Sequence, residues 1–351
     1  MTFDSIVHSI PEWLNKEGPE SSIVISSRLR LARNIAGCPY AHRADESKLG
    51  EVINNILDAV HVAEFESSNF FRIDSLDELH KTVFIERHLI SPALAIKKGN
   101  SGVLVREGEN SSILINEEDH LRIQSLCSGF NPMAALMEID EIDNKLSKTI
   151  KFSFSKEYGF LTACPTNMGT GLRASVLIHL PALVLTKEIQ RVIRSSSQLG
   201  LAVRGYYGEG SDIIGNLFQI SNQRSLGKNE HDIVEALISV VSQVMEYEKQ
   251  AADILMIEAK NQTEDKIWRS IGILKTARML STHEFMSLSS AARFGCYLGL
   301  IDKKFIKILN ELLVLTQPGH LQIRFDRNVE ASDRDFMRAE FVRERFVDVI
   351  T

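Results

Sequence analysis

Apolar residues recur at helical spacing in four segments of the first 260 residues. Between residues 45 and 66, for example, Leu49, Ile53, Ile56 and Val60 fall on one side of a helix. An Asn-Pro pair at 131–132 is typical of a helix start, because proline is tolerated in the first turn. The predicted helices span 45–66, 76–88, 131–146 and 229–260.

Short apolar runs between turn residues predict strands in the same part of the chain. They lie within 93–115, interrupted by turns at 99–100 and 108–110, and at 150–154, 158–162, 201–205 and 216–221. Residues 176–180 fit either a strand or a helix. The pattern predicts an α+β fold in which helices join strands that are paired antiparallel in part.

After Asn261 the strand signals stop. The spacing predicts helices over 264–280, 282–299 and 302–316, then a turn at 317–320 and a charged C-terminal helix. We therefore expect two domains, an α+β domain over 1–257 and a helical domain over 258–351.

Composition narrows the class of protein. With 351 residues and 44% hydrophobic positions, the chain can bury a sizeable core, and its net charge of -6 argues against bulk attraction to nucleic acid. The four cysteines lack paired spacing, which argues against disulfides or a zinc ribbon. The N-terminus does not resemble a signal peptide, and no apolar run reaches the roughly 20 residues of a membrane span. We expect a cytoplasmic protein without membrane contact.

The segment from Cys164 to Ser175 combines a thiol, an amide, small flexible residues and Arg173. Its glycines permit positive φ angles and close approach of a ligand to the backbone. An arginine just past such a loop suits a phosphate, because its planar fork matches phosphate oxygens.

A second cluster follows the predicted strand Ser112–Ile115. Residues 116–122 read Asn-Glu-Glu-Asp-His-Leu-Arg, so carboxylates, an imidazole and an arginine crowd the end of a buried strand. Such a cluster is costly to bury unless its members are paired or used in chemistry.

These two segments resemble the motifs of the phosphagen (guanidino) kinase family. Two further family motifs stand in the same order: Ser-Ser-Arg-Leu-Arg at 26–30, and Arg-Gly with a glycine-bearing turn at 204–210. The match is closer to the bacterial protein-arginine kinase branch, of the McsB type, through Leu-Ala-Arg-Asn at 31–34 and Arg-Asp-Phe-Met-Arg-Ala at 334–339. The resemblance implies an antiparallel sheet flanked by helices, followed by a helical C-terminal domain.

The resemblance implies a nucleotide site built around an arginine clamp of Arg28, Arg30, Arg122, Arg173 and Arg204. ATP and Mg²⁺ are the implied ligands, the metal being held mainly by phosphate oxygens and water. The full set of implied nucleotide-binding residues is Ser26, Ser27, Arg28, Leu29, Arg30, His88, Arg122, Arg173, Ala174, Ser175, Val176, Leu177, Arg204, Gly205, Tyr206, Tyr207, Gly208 and Glu209. For His88, a structural role at a helix end is an equally good interpretation.

A guanidinium is a poor nucleophile and needs a base to remove a proton. By its motif position Glu118 is the expected base, with Glu209 as the second carboxylate. Cys164 is expected to orient and polarise the guanidinium rather than to attack covalently, and Asn167 to shape the loop. Asp119 is expected to be structural, and the role of Glu117 stays open.

The C-terminal motif has two interpretations. Charges of both signs on a helix usually mark a solvated face with pairs one turn apart. The resemblance implies instead a regulatory pocket for phosphoarginine, formed by Arg334, Asp335, Arg338 and Ala339. The C-terminal helices could also bury a homodimer face.

The leading hypothesis is a protein-arginine kinase in protein quality control and the stress response. The family implies as partners proteins with exposed arginines, a zinc-binding activator, a heat-shock repressor and a Clp-type unfoldase. The alternatives are an inactive phosphoarginine-binding regulator, a kinase of a free guanidino compound, and a cysteine-dependent guanidine hydrolase. No N-terminal helical domain fits before residue 26, which disfavours a free guanidine as substrate.

Overall fold

An eight-stranded antiparallel sheet lies at the centre of the fold. The structure is a computed structural model, and it describes residues 3–63, 65, 67–206, 213–325 and 329–347. The strand order is β2-β3-β4-β5-β1-β8-β10-β9, and a separate two-stranded hairpin is formed by β6 and β7. The strands are β1 (Val24–Arg33), β2 (Ser68–Arg72), β3 (Gly102–Arg106), β4 (Ser111–Ile115), β5 (Leu121–Ser128), β6 (Phe154–Ser155), β7 (Gly159–Phe160), β8 (Leu172–His179), β9 (Leu201–Gly205) and β10 (Leu217–Asn222).

Helices cover one face of this sheet, and a helical region follows it. The helices are α1 (Phe3–His8), α2 (Glu12–Asn15), α3 (Glu46–Val62), α4 (Glu78–Glu86), α5 (Pro92–Ala95), α6 (Pro132–Ser147), α7 (Pro181–Leu185), α8 (Ile189–Gln198), α9 (Glu230–Glu258), α10 (Lys260–Thr276), α11 (Thr282–Tyr297), α12 (Phe305–Leu315), α13 (Pro318–Arg324) and α14 (Ala331–Phe346). Helix α6 packs on β1 and β5, and α9 packs on β8 and β10.

The hydrophobic core runs without interruption from the sheet into the C-terminal helices. One buried cluster contains Leu29 and Val176 of the sheet together with Ile267, Phe285 and Leu312 of the helical region. Helix α13 packs against α4, and α12 packs against α2. The two parts therefore share a core, which fixes the helical region against the sheet.

Most helices predicted from periodicity are confirmed. Helices α3, α4 and α9 lie within the predicted segments, and α6 extends one residue past its segment, to Ser147. Helices α10, α11 and α12 overlap the three that were expected over 264–280, 282–299 and 302–316. The α+β class, the antiparallel sheet and the strands at 201–205 and 216–221 are also confirmed, and residues 176–180 belong mainly to a strand, β8. No helix in the described part of the chain is long and apolar enough to cross a membrane.

Three expectations were wrong. Residues 93–98 do not form a strand, because Ser91 caps a short helix whose first residue is Pro92. Residues 150–153 contribute only an isolated bridge between Phe152 and Ile35, and Phe154 alone of the predicted segment lies in a strand, the two-residue β6. The predicted turn at 317–320 is the start of α13.

Candidate active site

Strand alternation places the predicted clamp arginines on one face of the sheet. Arg28 and Arg30 are two residues apart on β1 and so point to the same side. Arg30 lies opposite Arg173 of β8, and Ala32, on the same side again, lies opposite Arg122 of β5. Four cations from three adjacent strands therefore meet on this face.

The fifth arginine, Arg204, reaches the same face from β9, the strand at the edge of the sheet. Arg204 of β9 lies opposite Gln219 of β10, which in turn lies opposite Leu177 of β8. All five arginines border one open cleft with a volume of about 750 Å³, together with Glu118, Cys164 and Asn167. The fold thus brings together four motifs that lie up to 176 residues apart in the sequence, as Arg28 and Arg204 show.

The crowding of these cations is electrostatically unfavourable in the unliganded protein. Burial, together with Arg173 and Arg122, lowers the pKa of Arg28 to about 10. Burial, followed by repulsion from Arg28, Arg122 and Arg173, lowers the pKa of Arg30 well below its ordinary value. The Nε atom of Arg30 is buried and has no hydrogen-bond partner among the residues that the structure describes. Such a cluster fits an anion that carries several charges, such as a nucleotide phosphate chain.

Some of the predicted nucleotide-binding residues face away from the cleft. Leu29, Ala174 and Val176 are fully buried and belong to the core under the sheet. Ser27 donates from Oγ to the carbonyl of Gly129 (2.9 Å) and accepts from the amide of Asn131 (2.9 Å). These four side chains hold the strands in place behind the arginines.

Three others share the face of the arginines without lining the cleft. Ser26, Ser175 and Leu177 alternate in register with the arginine positions and are buried. Ser175 donates from Oγ to the carbonyl of Arg28 (3.1 Å), which supports the clamp from below.

The carboxylates at the end of β4 differ in accessibility. Glu117 pairs with Arg122 and accepts from the hydroxyl of Ser91, and only 7% of its side chain is exposed. Glu118 lies 3.3 Å from Arg122, and 45% of its side chain is exposed. Glu118 is therefore the carboxylate that a group entering from solvent can reach.

Asp119 and His120 act as structural supports. Asp119 accepts from the amide nitrogen of the Asn34 side chain (2.6 Å) and from the backbone of Ala163 (2.7 Å), next to Cys164. His120 accepts at Nδ1 from the amide of Ile35 (3.0 Å) and lies 2.9 Å from the Pro39 carbonyl through Nε2. Burial lowers the pKa of His120, in keeping with a neutral ring.

The loop that carries Cys164 is held on several sides. Its thiol lies 3.0 Å from the hydroxyl of Thr166. Gly169 and Gly171 have φ angles of 104° and 71°, which confirms the positive φ expected at these glycines. A side chain at Gly169 would meet the backbone of Leu226 at 2.7 Å. The loop is therefore packed too tightly to admit a Cβ atom there.

His88 lies next to the clamp at the end of α4. It has a positive φ of 59°, and its ring centroid is 5.4 Å from that of Tyr206. Burial, followed by repulsion from Arg28 and Arg30, lowers the pKa of His88 to about 3. The ring is therefore neutral at physiological pH.

The segment that carries the second predicted carboxylate is only partly described. Gly205 and Tyr206 are buried at the end of β9. Tyr207, Gly208 and Glu209 lie outside the described residues. The roles implied for them stay predictions.

The C-terminal motif lies on α14. Arg338 is buried and donates to the carbonyls of Thr316 (2.9 Å) and Leu280 (2.7 Å) and to Asp335 (2.6 Å). Arg334 donates to the carbonyl of Val329 (2.7 Å), and Ala339 is fully buried. Arg338 thus has structural contacts that the sequence did not indicate.

Several cleft residues were missed in the sequence. Lys97 lines the cleft and donates to the carbonyls of Asn116 (2.5 Å) and Glu117 (2.8 Å). Ser91, Thr166 and Gln219 also border the cleft. Thr166 lies within the segment from Cys164 to Ser175, whereas lone polar residues such as Ser91 and Lys97 carry no local signal, and only the fold shows where they lie.

Comparisons with known proteins show which family the chain belongs to. Residues 51–251 match the family described as ATP:guanido phosphotransferase, C-terminal catalytic domain. The chain therefore belongs to the ATP:guanido phosphotransferase family, whose members are phosphotransferases. Residues 260–350 match a second family, described as the protein-arginine kinase McsB C-terminal domain.

The curated relatives of this chain that follow are both named protein-arginine kinase. The chain is 43% identical to a protein-arginine kinase of Halothermothrix orenii, covering 97% of this chain and 98% of that protein. It is also 43% identical to the protein-arginine kinase of Bacillus subtilis, covering 97% and 94%.

Solved structures share the fold. A lombricine kinase matches with a TM-score of 0.58 and 24% identity, over 70% of this chain and 76% of that chain. A substrate-free duplicated taurocyamine kinase from Schistosoma mansoni also has a TM-score of 0.58, with 21% identity over 94% of this chain and 54% of that chain.

Proposed function

We propose that this chain is a protein-arginine kinase, which transfers the γ-phosphoryl group of ATP to the guanidino group of arginine residues in proteins. The observation that carries the proposal is the convergence of five arginines, an exposed carboxylate and a thiol in one cleft of a guanido phosphotransferase fold. The names of its relatives supply the acceptor, a protein arginine.

The arginine clamp is proposed to bind the phosphates of ATP. Phosphoryl transfer depends mainly on positioning and on charge neutralisation. Arg28, Arg30 and Arg173 occupy adjacent strands and are forced close together, so that an anion relieves their mutual repulsion. Arg122 is paired with Glu117 and Glu118 in the unliganded chain, and phosphate oxygens would compete for this arginine.

Mg²⁺ fits this cleft as an ion held through ATP. In the described residues, the one group of three side chains with metal-ligand spacing is His231, Asp232 and Glu235, exposed on α9 and outside the cleft. When bound through ATP, Mg²⁺ would neutralise part of the charge on the phosphates.

Glu118 is proposed as the base that takes a proton from the attacking guanidino nitrogen. It is exposed at the cleft mouth, whereas Glu117 is buried in its pair with Arg122. Cys164 is proposed to hold the guanidinium, with Asn167 shaping the loop. We propose Glu209 as the second carboxylate on family resemblance alone.

The biological setting is proposed on the same resemblance. Protein substrates with exposed arginines follow from the proposed activity. A cytoplasmic role in quality control and stress, with a zinc-binding activator, a heat-shock repressor and a Clp-type unfoldase as partners, is proposed on the family match alone. The division into domains 1–257 and 258–351 is also a proposal. It is supported by the two family matches, since the first ends at residue 251 and the second begins at residue 260.

The test is arginine phosphorylation of a model protein with ATP and Mg²⁺, read by mass spectrometry without acid because the N–P bond is acid-labile. Glu118→Gln is expected to lower kcat by about 100- to 10,000-fold, the usual range for loss of a general base, with little change in ATP affinity. The matched control is Glu141→Gln, an exposed carboxylate on α6 that pairs with Lys145. Absence of arginine phosphorylation by the unmodified chain would contradict the proposal.

A further inference from the structure

Three consecutive residues at the end of α4 connect the C-terminal helices to the arginine clamp. Glu86 and Arg87 are buried, and both contact α13. His88 follows them with a left-handed backbone and lies next to Arg28 and Arg30. Whatever holds Glu86 and Arg87 therefore also fixes the position of His88.

The contact to the C-terminal region is made through one carboxylate. Glu86 accepts from the backbone amides of Gly319 (2.7 Å) and His320 (3.1 Å) at the start of α13. The same carboxylate contacts Nδ1 of His320 at 2.7 Å. The residues lie 234 positions apart, so this contact exists only in the folded protein.

Arg87 completes the cluster. Its guanidinium pairs with buried Glu109, donates to the carbonyl of Ser9 (3.0 Å) and lies 3.3 Å from Nε2 of His320. Glu86 is an acceptor and Arg87 a donor, so the neutral His320 ring satisfies both when Nδ1 carries the proton. Burial lowers the pKa of His320, which agrees with this neutral form.

On the other side, His88 is fixed to the strands of the clamp. Its carbonyl accepts from the side-chain amide of Gln124 (2.9 Å), and Gln124 lies opposite Arg30 in the pairing of β5 with β1. Its ring also contacts those of Tyr206 and Trp13, with centroids 5.4 and 5.9 Å away. A shift of this corner would therefore move groups that border Arg28 and Arg30.

We propose that His320 is a positioning residue for nucleotide binding, through which the C-terminal helices hold Glu86, Arg87 and His88 in the geometry that ATP requires. This inference rests on the proposed function, because it takes ATP to be the ligand of the arginine clamp. His320 itself does not line the cleft. Its effect is exerted through the end of α4.

The proposal predicts a selective defect in ATP binding. His320→Ala removes the side-chain contacts to both Glu86 and Arg87 and is expected to raise the Kd for ATP about tenfold. The KM for ATP should rise in parallel, while kcat and the KM for the protein substrate stay within about twofold. A residue that only stabilised the fold would instead change the thermal midpoint without a selective effect on ATP.

Two further variants keep the test decisive if His320→Ala does not fold. His320→Asn retains a donor near the position of Nδ1 and is expected to restore ATP affinity to within about threefold of the unmodified chain. Glu86→Gln removes the charged acceptor for Nδ1 and is expected to weaken ATP binding. His283→Ala, an exposed histidine on α11, is the matched control and should bind ATP normally.

The measurement is calorimetry of the full chain with ATP and Mg²⁺, next to thermal unfolding without nucleotide. Unchanged ATP affinity in folded His320→Ala, or in Glu86→Gln if His320→Ala is unfolded, would overturn the inference and leave the proposed function intact. Failure of the unmodified chain to bind ATP would overturn both. Normal ATP binding with weakened transfer would also contradict a role in nucleotide positioning.

Discussion

Arg30 of β1 lies directly opposite Arg173 of β8 in the antiparallel pairing of these strands. Like charges in this position destabilise a sheet, and here Arg28 and Arg122 lie close by as well. The fold therefore accepts an unfavourable arrangement of cations at the one face that borders the cleft. The arrangement becomes favourable when an anion with several charges enters.

The first prediction concerns this repulsion. Arg30→Gln should raise the free energy of unfolding of the unliganded protein by up to about 1 kcal/mol, because one of the opposed charges is removed. ATP affinity should fall about 10- to 100-fold, the range expected for losing a charge-assisted hydrogen bond. Thermal unfolding and calorimetry measure the two effects. Arg43→Gln, an exposed arginine, is the control, and a loss of stability with normal ATP affinity would count against the clamp.

A second prediction separates two roles of the cleft thiol. If Cys164 orients the guanidinium, Cys164→Ala should retain activity reduced by about 10- to 100-fold, equivalent to roughly 1.4 to 2.8 kcal/mol of transition-state stabilisation. A covalent nucleophile would be indispensable, and its loss would abolish transfer. Single-turnover kinetics with detection of any phosphorylated thiol decides between them. Cys127→Ala provides the control outside the cleft.

The third prediction concerns pH and stability. Burial raises the pKa of Glu248 to about 8, although the amides of Ala182 and Leu183 oppose the shift. The folded state therefore keeps a proton that the unfolded chain releases near pH 4.5, and the free energy of unfolding should fall as the pH rises from about 4.5 to about 8.

The corresponding variant isolates the contribution of this carboxyl. The glutamine in Glu248→Gln cannot ionise, so the free energy of unfolding of this variant should depend less on pH over that interval. The slopes of the two proteins should differ by at most about 1.4 kcal/mol per pH unit. Denaturant titrations of both proteins at pH 5, 6.5 and 8 measure the difference. Parallel curves for the two proteins would show that Glu248 does not titrate in this interval.

The fourth prediction tests the C-terminal motif. Asp335→Ala removes a partner of the buried Arg338 guanidinium and should lower the free energy of unfolding by about 1–3 kcal/mol. If Asp335 also belongs to a phosphoarginine pocket, the variant should bind phosphoarginine more weakly. Calorimetry with free phosphoarginine measures this binding, and Asp335→Asn, which keeps an acceptor for Arg338, is the control. Unchanged affinity in both variants would exclude Asp335 from such a pocket.

Much of the site was predictable because its residues occur in short motifs. The motifs named the arginines and Glu118, and strand alternation explains why Arg28 and Arg30 share a face. Strand β1 was not predicted, because charged residues alternate with leucines there and hide the apolar run that marks a buried strand. Because side chains alternate along a strand, Leu29 points into the core while Arg28 and Arg30 on either side of it point to the cleft.

Other features could not be predicted from local sequence. The start of α13 is stabilised by Glu86, which lies more than 230 residues earlier, so residues 317–320 resembled a simple turn. Residues 150–153 have strand composition, but β5 and β8 already pair with both edges of β1. In both cases the decisive contact is tertiary, and propensity alone gives the wrong structure.

The position of β1 has a consequence for how the protein comes to be active. This strand is made early in synthesis, yet its neighbours, β5 and β8, begin about 90 and 140 residues after it ends. Pairings of such long range form slowly and leave the strand edges open until the partners arrive. A partly made chain therefore holds Arg28 and Arg30 without Arg122, Arg173 or Arg204. Nucleotide binding should appear late and all at once, so that it reports complete assembly of the sheet.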